Sequence, residues 1–258
     1  MSTPRARGFA ELIEEASSVS VDGWDFSWLD GRATEERPPW GYARAMGRRL
    51  ARATGGLDLQ TGGGEVLDRA PVLPPLMAAT EGWPPNVARA QRRLGPRGVV
   101  VVAHGDEPPL PFADGTFDLV TSRHPVRPWW EEITRVLRPG GTYFAQHVGP
   151  SSVFELVEYF LGPLDEEVRR ARDPEREAAG AREAGLVVDE LRTARTRIEF
   201  LDVGAVVYFL RKVIWMVPGF TVEKYRERLR ELHELIAAEG PFVAHSTRHL
   251  VVAHRPNA

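Results

Sequence analysis

The chain has no cysteine among its 258 residues, which excludes disulfides, thiolate metal ligands and thiol catalysis. Lysine is nearly absent too. Lys212 and Lys224 stand alone among 33 basic residues, and the arginine excess reads as base-composition bias without mechanistic content. Charge of one sign is also lacking: against 36 acidic residues the formal net charge is -3 and the pI is near 6.2. No global basic field therefore invites a phosphate backbone. Long apolar runs are missing as well. Met1 to Ala10 carries arginines but no apolar stretch of leader length, and no later segment has the length and apolarity of a bilayer span. These absences lead us to expect a soluble cytoplasmic protein, a monomer or homodimer, with no membrane partner and with nucleic acid disfavoured. No metal site is expected.

What is present is enough apolar residue, 43%, to bury one substantial core. We read residues 1–258 as one elaborated domain: an N-terminal helical and aromatic cover over 1–54, a core over 55–148, and C-terminal strands over 149–258 with a helical insertion at 202–240. Apolar residues from Phe9 to Val19 fall at helical spacing. Residues 22–42 are irregular but rich in aromatics, with Trp24, Phe26, Trp28, Trp40 and Tyr42 among Asp, Gly and Pro. Gly41 to Thr54 reads as a helix stopped by Gly55-Gly56.

Short apolar runs then alternate with helical segments, the pattern of a parallel sheet built from βαβ units. The strands are expected at 57–59, 76–80, 98–103, 116–122 and 141–147, with helices beginning at Glu65 and spanning 84–94 and 129–137. Beyond them come helices over 152–161 and 165–183, the latter read as a solvated face because of its charge density. Long strands over 186–200 and 242–254 enclose helices over 203–217 and 221–239. The predicted fold is α/β: a doubly wound, mostly parallel sheet of seven strands with an antiparallel last strand.

Ligands of such sheets bind outside the carboxyl ends of the strands, where strand order reverses. Asp58-Leu59-Gln60-Thr61-Gly62-Gly63-Gly64-Glu65 puts a carboxylate at the end of the first strand and glycines directly after it. Glycine permits a tight turn and close approach of a ligand to the backbone, although a glycine cluster before a helix is also an ordinary turn. Glu81, one βα unit later, stands where a carboxylate can hold ribose hydroxyls or merely cap a helix. Trp83 is placed either to lie against a purine or to fill a core. Downstream come Gly105-Asp106-Glu107-Pro108-Pro109-Leu110-Pro111-Phe112, then Asp114 and Phe117-Asp118-Leu119-Val120, then Arg135-Val136-Leu137-Arg138-Pro139-Gly140-Gly141.

Over residues 55–148 this succession resembles the class I, Rossmann-like S-adenosylmethionine-dependent methyltransferases of the small-molecule, type 11 branch, whose "GDxxxLPFxDxxFDLV" and "RVLRPGG" segments it reproduces in order. The resemblance implies S-adenosyl-L-methionine as cofactor and S-adenosyl-L-homocysteine as product. It implies that Asp58 and Gly62, Gly63 and Gly64 flank the methionine part, that Glu81 holds the ribose with Gly82 beside it, and that Asp106 accepts from the adenine amino group. Glu107 and Trp83 would border the adenine, and Ser122 the amino-acid moiety. Tyr42 could reach the methionine carboxylate. One departure stands out: the family's "DxGxGxG" has Gln60 at its first glycine, so that a side chain either crowds the cofactor or hydrogen-bonds its carboxylate.

Methyl transfer requires a nucleophile held in line with a sulfonium methyl, and a base only where the nucleophile carries a tightly held proton. His124 follows the fourth strand and His147 ends the fifth, so both are expected at the pocket mouth, as substrate-shell groups or as plain loop hydrogen bonds. Trp24 and Trp28 would wall an acceptor or pack the N-terminal helix. The expected activity is methylation of a small, aromatic or polycyclic metabolite. Two alternatives stay open. An rRNA or tRNA base methyltransferase would use Arg48, Arg49 and Arg52 on phosphates, though the bacterial rRNA family whose post-strand-five segment His147-Val148-Gly149-Pro150 faintly resembles carries a zinc module that a cysteine-free chain lacks. A cofactor-binding regulator or cyclase that does not methylate is suggested by Gln60.

Overall fold

The computed structural model describes residues 7–105 and 107–257. In chain order the strands are β1 (Ala33–Glu35), β2 (Gly55–Leu59), β3 (Leu76–Glu81), β4 (Val100–Ala103), β5 (Phe117–Arg123), β6 (Leu137–Val148), β7 (Val187–Phe200) and β8 (Phe242–His254). The helices are α1 (Phe9–Ser18), α2 (Tyr42–Leu50), α3 (Pro84–Leu94), α4 (Trp130–Val136), α5 (Phe154–Leu161), α6 (Glu166–Arg170), α7 (Pro174–Glu183), α8 (Val203–Lys212) and α9 (Arg226–Glu239). Hydrogen-bonded strand order is β1-β7-β8-β6-β5-β2-β3-β4. β2 pairs in parallel with β3 and β5, β3 with β4, and β5 with β6, whereas β8 runs antiparallel to β6. The expected seven-stranded, doubly wound sheet is therefore present, with β1 added antiparallel to β7.

The chain forms two compact units. The larger comprises residues 37–150, 170–195 and 247–258. Its central strands are buried along nearly their whole length, as befits parallel strands covered on both faces. On one face Tyr42, Met46 and Leu50 of α2 meet Leu67, Met77, Leu94, Phe144 and Leu250. On the other, Trp130, Ile133 and Val136 of α4 and Ala181 of α7 close over Leu57, Phe117, Val120 and Tyr143. Asp118 pins the start of the central pair, its carboxylate accepting from the N–H groups of Thr54 and Gly55 and from the Thr54 hydroxyl at 2.6 Å.

The smaller unit comprises the described residues up to Glu36, with 151–169 and 196–246. Leu12, Ile13 and Ala16 of α1, Leu156 and Phe160 of α5, Val206 and Leu210 of α8, and Leu229 and Leu232 of α9 share its core. Asp202 caps α8, accepting from the Ala205 N–H at 2.8 Å. Among the described residues no helix is long and apolar enough to cross a membrane.

Four local expectations are corrected. The helix expected from Glu65 is a run of turns ending in a 3-10 turn at Leu67–Arg69, because too few residues lie between Gly64 and Pro71 to nucleate an α-helix. The charged stretch 165–183 breaks in two where Arg172 takes φ 63° and Asp173 caps α7 through the Arg176 N–H. Strand β6 starts at Leu137 rather than Gly141. Residues 22–42, expected irregular, contain β1, whose Ala33 pairs with Phe200.

Phe117 is 1% exposed at the start of β5, edge-on to Phe112. Phe117→Ala should lose about 3–5 kcal/mol, the cost of a large core cavity, read as a lower urea midpoint. A change under about 1 kcal/mol would show that the site collapses freely.

Candidate functional site

Strand order reverses between β2 and β5, which is the place where α/β sheets bind ligands. Here the end of β2 delivers Asp58, 6% exposed. Thr121, its neighbour in the parallel register, donates its hydroxyl to the Asp58 carboxylate at 2.6 Å. Burial pushes the Asp58 carboxyl up to about 6 from 3.8, with the Thr121 hydrogen bond acting in the opposite direction. Next along, the Ser122 hydroxyl donates to the Leu59 carbonyl at 3.0 Å, and the Ser122 carbonyl accepts from the Tyr42 hydroxyl at 2.9 Å. Tyr42 is itself buried and stacked on Phe144. Its hydroxyl thus braces the end of β5.

The glycine turn follows. Gln60 sits at φ 53°, with Gly62 at 64° and Gly64 at 81°, the left-handed region that costs a side-chain-bearing residue about 1–2 kcal/mol. The Gln60 carboxamide accepts from the Val126 N–H at 2.7 Å and donates to the Arg127 carbonyl at 3.3 Å. It clasps the turn after β2 to the loop after β5. Gly64 has no room for a Cβ, which would meet the buried Leu94 at 2.8 Å, whereas at Gly63 a Cβ would displace only the carboxylate end of Glu65. Glu81, at the end of β3, accepts from the Gly62 N–H at 2.8 Å and from the Trp83 N–H at 3.0 Å. Gly82 is exposed beside it, and Trp83 is 48% exposed, so the core-filling reading of Trp83 is not met.

Asp106 lies outside the described residues, and Glu107 is exposed. The segment that follows is held by Arg135, whose guanidinium donates to the Phe112 carbonyl at 2.7 Å, the Leu110 carbonyl at 3.0 Å, Asp114 at 2.8 Å and Glu132 at 2.7 Å. Glu132 in turn accepts from the Leu110 N–H. The two ends of the sequence signature, around Phe112 and around Arg135, are thus one hydrogen-bonded unit.

The two favoured histidines part company. His124 takes φ 59° and is half-buried. Desolvation pushes its pKa well below 6.5, with Arg123 acting in the same direction, so the ring is neutral near pH 7. Its Nε2 meets the Gln146 amide nitrogen at 2.8 Å, while the Gln146 oxygen accepts from Trp40 Nε1 at 2.7 Å. Trp40 therefore orients Gln146 to donate, and the Nε2 lone pair of His124 is engaged. His147 is not at a mouth. It is 2% exposed, between Trp130, Tyr143 and His249, with Nε2 2.9 Å from the Tyr143 hydroxyl and Nδ1 on Glu177. Strand alternation explains this: Gln146 and His147 point to opposite faces.

Trp24 and Trp28 belong to the smaller unit. Trp28 packs 4.8 Å from Tyr208 with the Arg32 guanidinium over its ring, and Trp24 meets Trp215 edge-on at 5.6 Å. Residues that the sequence reading passed over are Thr121, Gln146, Glu177 and His249; only strand register brings them to their partners.

The donor set fits a nucleoside bearing an amino-acid tail. A buried carboxylate suits an ammonium, a second suits vicinal hydroxyls, and an exposed indole suits a purine. Residues 57–145, from β2 into β6, match the family model described as "Methyltransferase domain", in keeping with the resemblance read in the sequence.

Among solved structures, a candidate methyltransferase from Bacillus halodurans C-125 is similar at 21% identity and a TM-score of 0.58, over 83% of this chain and 98% of that one. The YcgJ protein from Bacillus subtilis is similar at 16% identity and a TM-score of 0.61, over 84% and 99%. The cyclase SpnF is similar at 15% identity and a TM-score of 0.54, over 96% and 93%. At these identities the likeness is one of fold. No curated protein matches by sequence.

Because Asp58 holds its proton more tightly folded than unfolded, its contribution to stability is full below about pH 4 and lost as pH rises through about 6. The loss is about 3 kcal/mol. Asp58→Asn should therefore gain stability over the parent as pH rises across that window, in urea titrations of the cofactor-free protein. A constant difference from pH 4 to 7 would place the Asp58 pKa at its ordinary value.

Proposed function

We propose that the chain transfers a methyl group from S-adenosyl-L-methionine to a small, aromatic or polycyclic acceptor. The cofactor brings an electrophilic methyl on a sulfonium with a good leaving group, so the protein's task is placement. In this reading ionised Asp58 faces the cofactor ammonium, Glu81 exchanges its backbone partners for the ribose hydroxyls, and Trp83 and Gly82 border the adenine with Asp106 and Glu107. Gly62, Gly63 and Gly64 give backbone clearance, and Ser122 and Tyr42 hold the strand end beside the amino-acid moiety. His124, neutral and half-buried, is the histidine we assign to the acceptor's surroundings.

What supports a small-molecule acceptor is the resemblance of residues 55–148 to the small-molecule branch, with the match of residues 57–145 to the methyltransferase family model. The net charge of -3 gives an RNA acceptor no comparable support.

Calorimetry should show binding of S-adenosylhomocysteine, and mass spectrometry a product 14 mass units heavier from an aromatic acceptor panel, 14 being about the mass of the added CH2. Trp83→Ala should weaken S-adenosylhomocysteine binding about tenfold, or about 1.4 kcal/mol, in the same calorimetry. Methylation confined to RNA, with strong salt dependence, would overturn the small-molecule reading. Tight cofactor binding without any methylated product would favour the non-methylating one.

Gln60→Gly removes both the clasp and the left-handed strain. Retained or tighter S-adenosylhomocysteine binding is expected by calorimetry. A loss beyond about tenfold would make the Gln60 amide itself a ligand.

A further inference from the structure

The face of the sheet beneath α7 holds a cluster that methyl transfer does not use. His147 of β6 and His249 of β8 are directly opposite in the antiparallel register, and their ring centroids are 5.0 Å apart. α7 brings Glu177 over the pair. Its Oε2 meets His147 Nδ1, and His249 Nε2 at 2.8 Å. The two histidine side chains are 2% and 0% exposed and that of Glu177 is 18% exposed. The three donor atoms all lie within 4.8 Å of one another. Donors on a tetrahedral ion with bonds near 2.0–2.1 Å stand about 3.3 Å apart, so small side-chain adjustments suffice.

We propose that His147, Glu177 and His249 form a binding site for a divalent first-row transition-metal ion. Two imidazoles and one carboxylate are the donor types that zinc, cobalt, nickel and iron(II) accept, and hard oxygen-seeking ions such as magnesium do not favour them. Three features of this chain support the assignment.

The first is charge. Among the described residues the partners of the Glu177 carboxylate are the two imidazoles, with no guanidinium or ammonium paired to it. A largely buried carboxylate is costly without a cation to balance it.

The second is proton placement. A ligating imidazole must present a lone pair and settle its proton on the other ring nitrogen. His147 can do so, because the Tyr143 hydroxyl at its Nε2 can accept as well as donate. At His249 the Nδ1 is buried without a hydrogen-bond partner, so ligation through Nε2 puts the proton on a nitrogen that nothing else claims, at the cost of one unpaired N–H.

The third is rigidity. The donors come from two paired strands and one helix, and a Cβ on Gly180, one turn beyond Glu177, would meet Trp130 at 2.9 Å. The missing side chain lets α7 lie close against α4 and fixes where Glu177 points. Three protein donors leave a fourth position on a tetrahedral ion.

The test uses the full chain without a polyhistidine tag, stripped with chelator and titrated with cobalt(II) and zinc(II). One equivalent of cobalt should bind with the visible absorption of a four- or five-coordinate ion, be displaced by zinc, and raise the thermal midpoint. Glu177→Gln and His249→Gln keep the size of the side chain or a hydrogen-bonding amide. Both should fold, by circular dichroism, yet weaken cobalt binding by more than about 100-fold, the upper end of what losing even an outer partner costs. His245→Gln, whose imidazole pairs with Glu155, should bind as the parent does. Absence of stoichiometric uptake, or equal uptake in Glu177→Gln and His249→Gln, would make the cluster a hydrogen-bonded brace and overturn the proposal. None of these readouts depends on the methyl acceptor.

Discussion

The hydrogen bond from Thr121 to Asp58 fixes a buried carboxylate where the strand order of the larger unit reverses, and the neighbouring polar contacts build on it. A parallel sheet covered on both faces has no solvent with which to satisfy a carboxylate, yet β2 carries one at its last turn-facing position. The strand beside it supplies the donor. Ser122 and Tyr42 extend the same arrangement, each spending a hydroxyl on a carbonyl at a strand end. The result is a row of hydrogen-bonded polar groups where strand order reverses.

The loops around that row are fixed by charge rather than by packing. Arg135 spreads its donors over Leu110, Phe112, Asp114 and Glu132, so the loop before β5 is held by the helix before β6. Glu81 ties the glycine turn to the end of β3 through the Gly62 N–H, and Gln60 ties the same turn to the loop after β5. Gln60 and His124 both adopt left-handed backbone, a cost that glycine would not incur. At Gln60 the clasp offsets it. His124 has its backbone N–H on the Gln146 carbonyl and its ring on the Gln146 amide.

Much of this was legible in the sequence because it depends on local spacing. The alternation of apolar runs and amphipathic segments located the strands from β2 to β8, and the glycine turn and Glu81, singled out by their spacing, are joined by a hydrogen bond. Legibility failed where long-range pairing decides the outcome. Glu177 lies in a stretch whose charge density reads as solvated, yet the break at Arg172 and the cap at Asp173 reset the helix so that this carboxylate faces the sheet. His147 reads as a loop residue at a strand end, and only the alternation of β6 shows it turned away from His124. β1 is too short and too polar to announce itself, being defined by its partner β7.

The division of the chain has a consequence of its own. Strands β7 and β8 each begin in one unit and end in the other, so the smaller unit is drawn from three separate stretches of sequence and the larger from three more. No single cut releases either unit whole. A lineage carrying this architecture cannot exchange either unit by swapping one continuous gene segment. Each unit must diversify in place, through residues that lie far apart in sequence, while the two long strands continue to serve both.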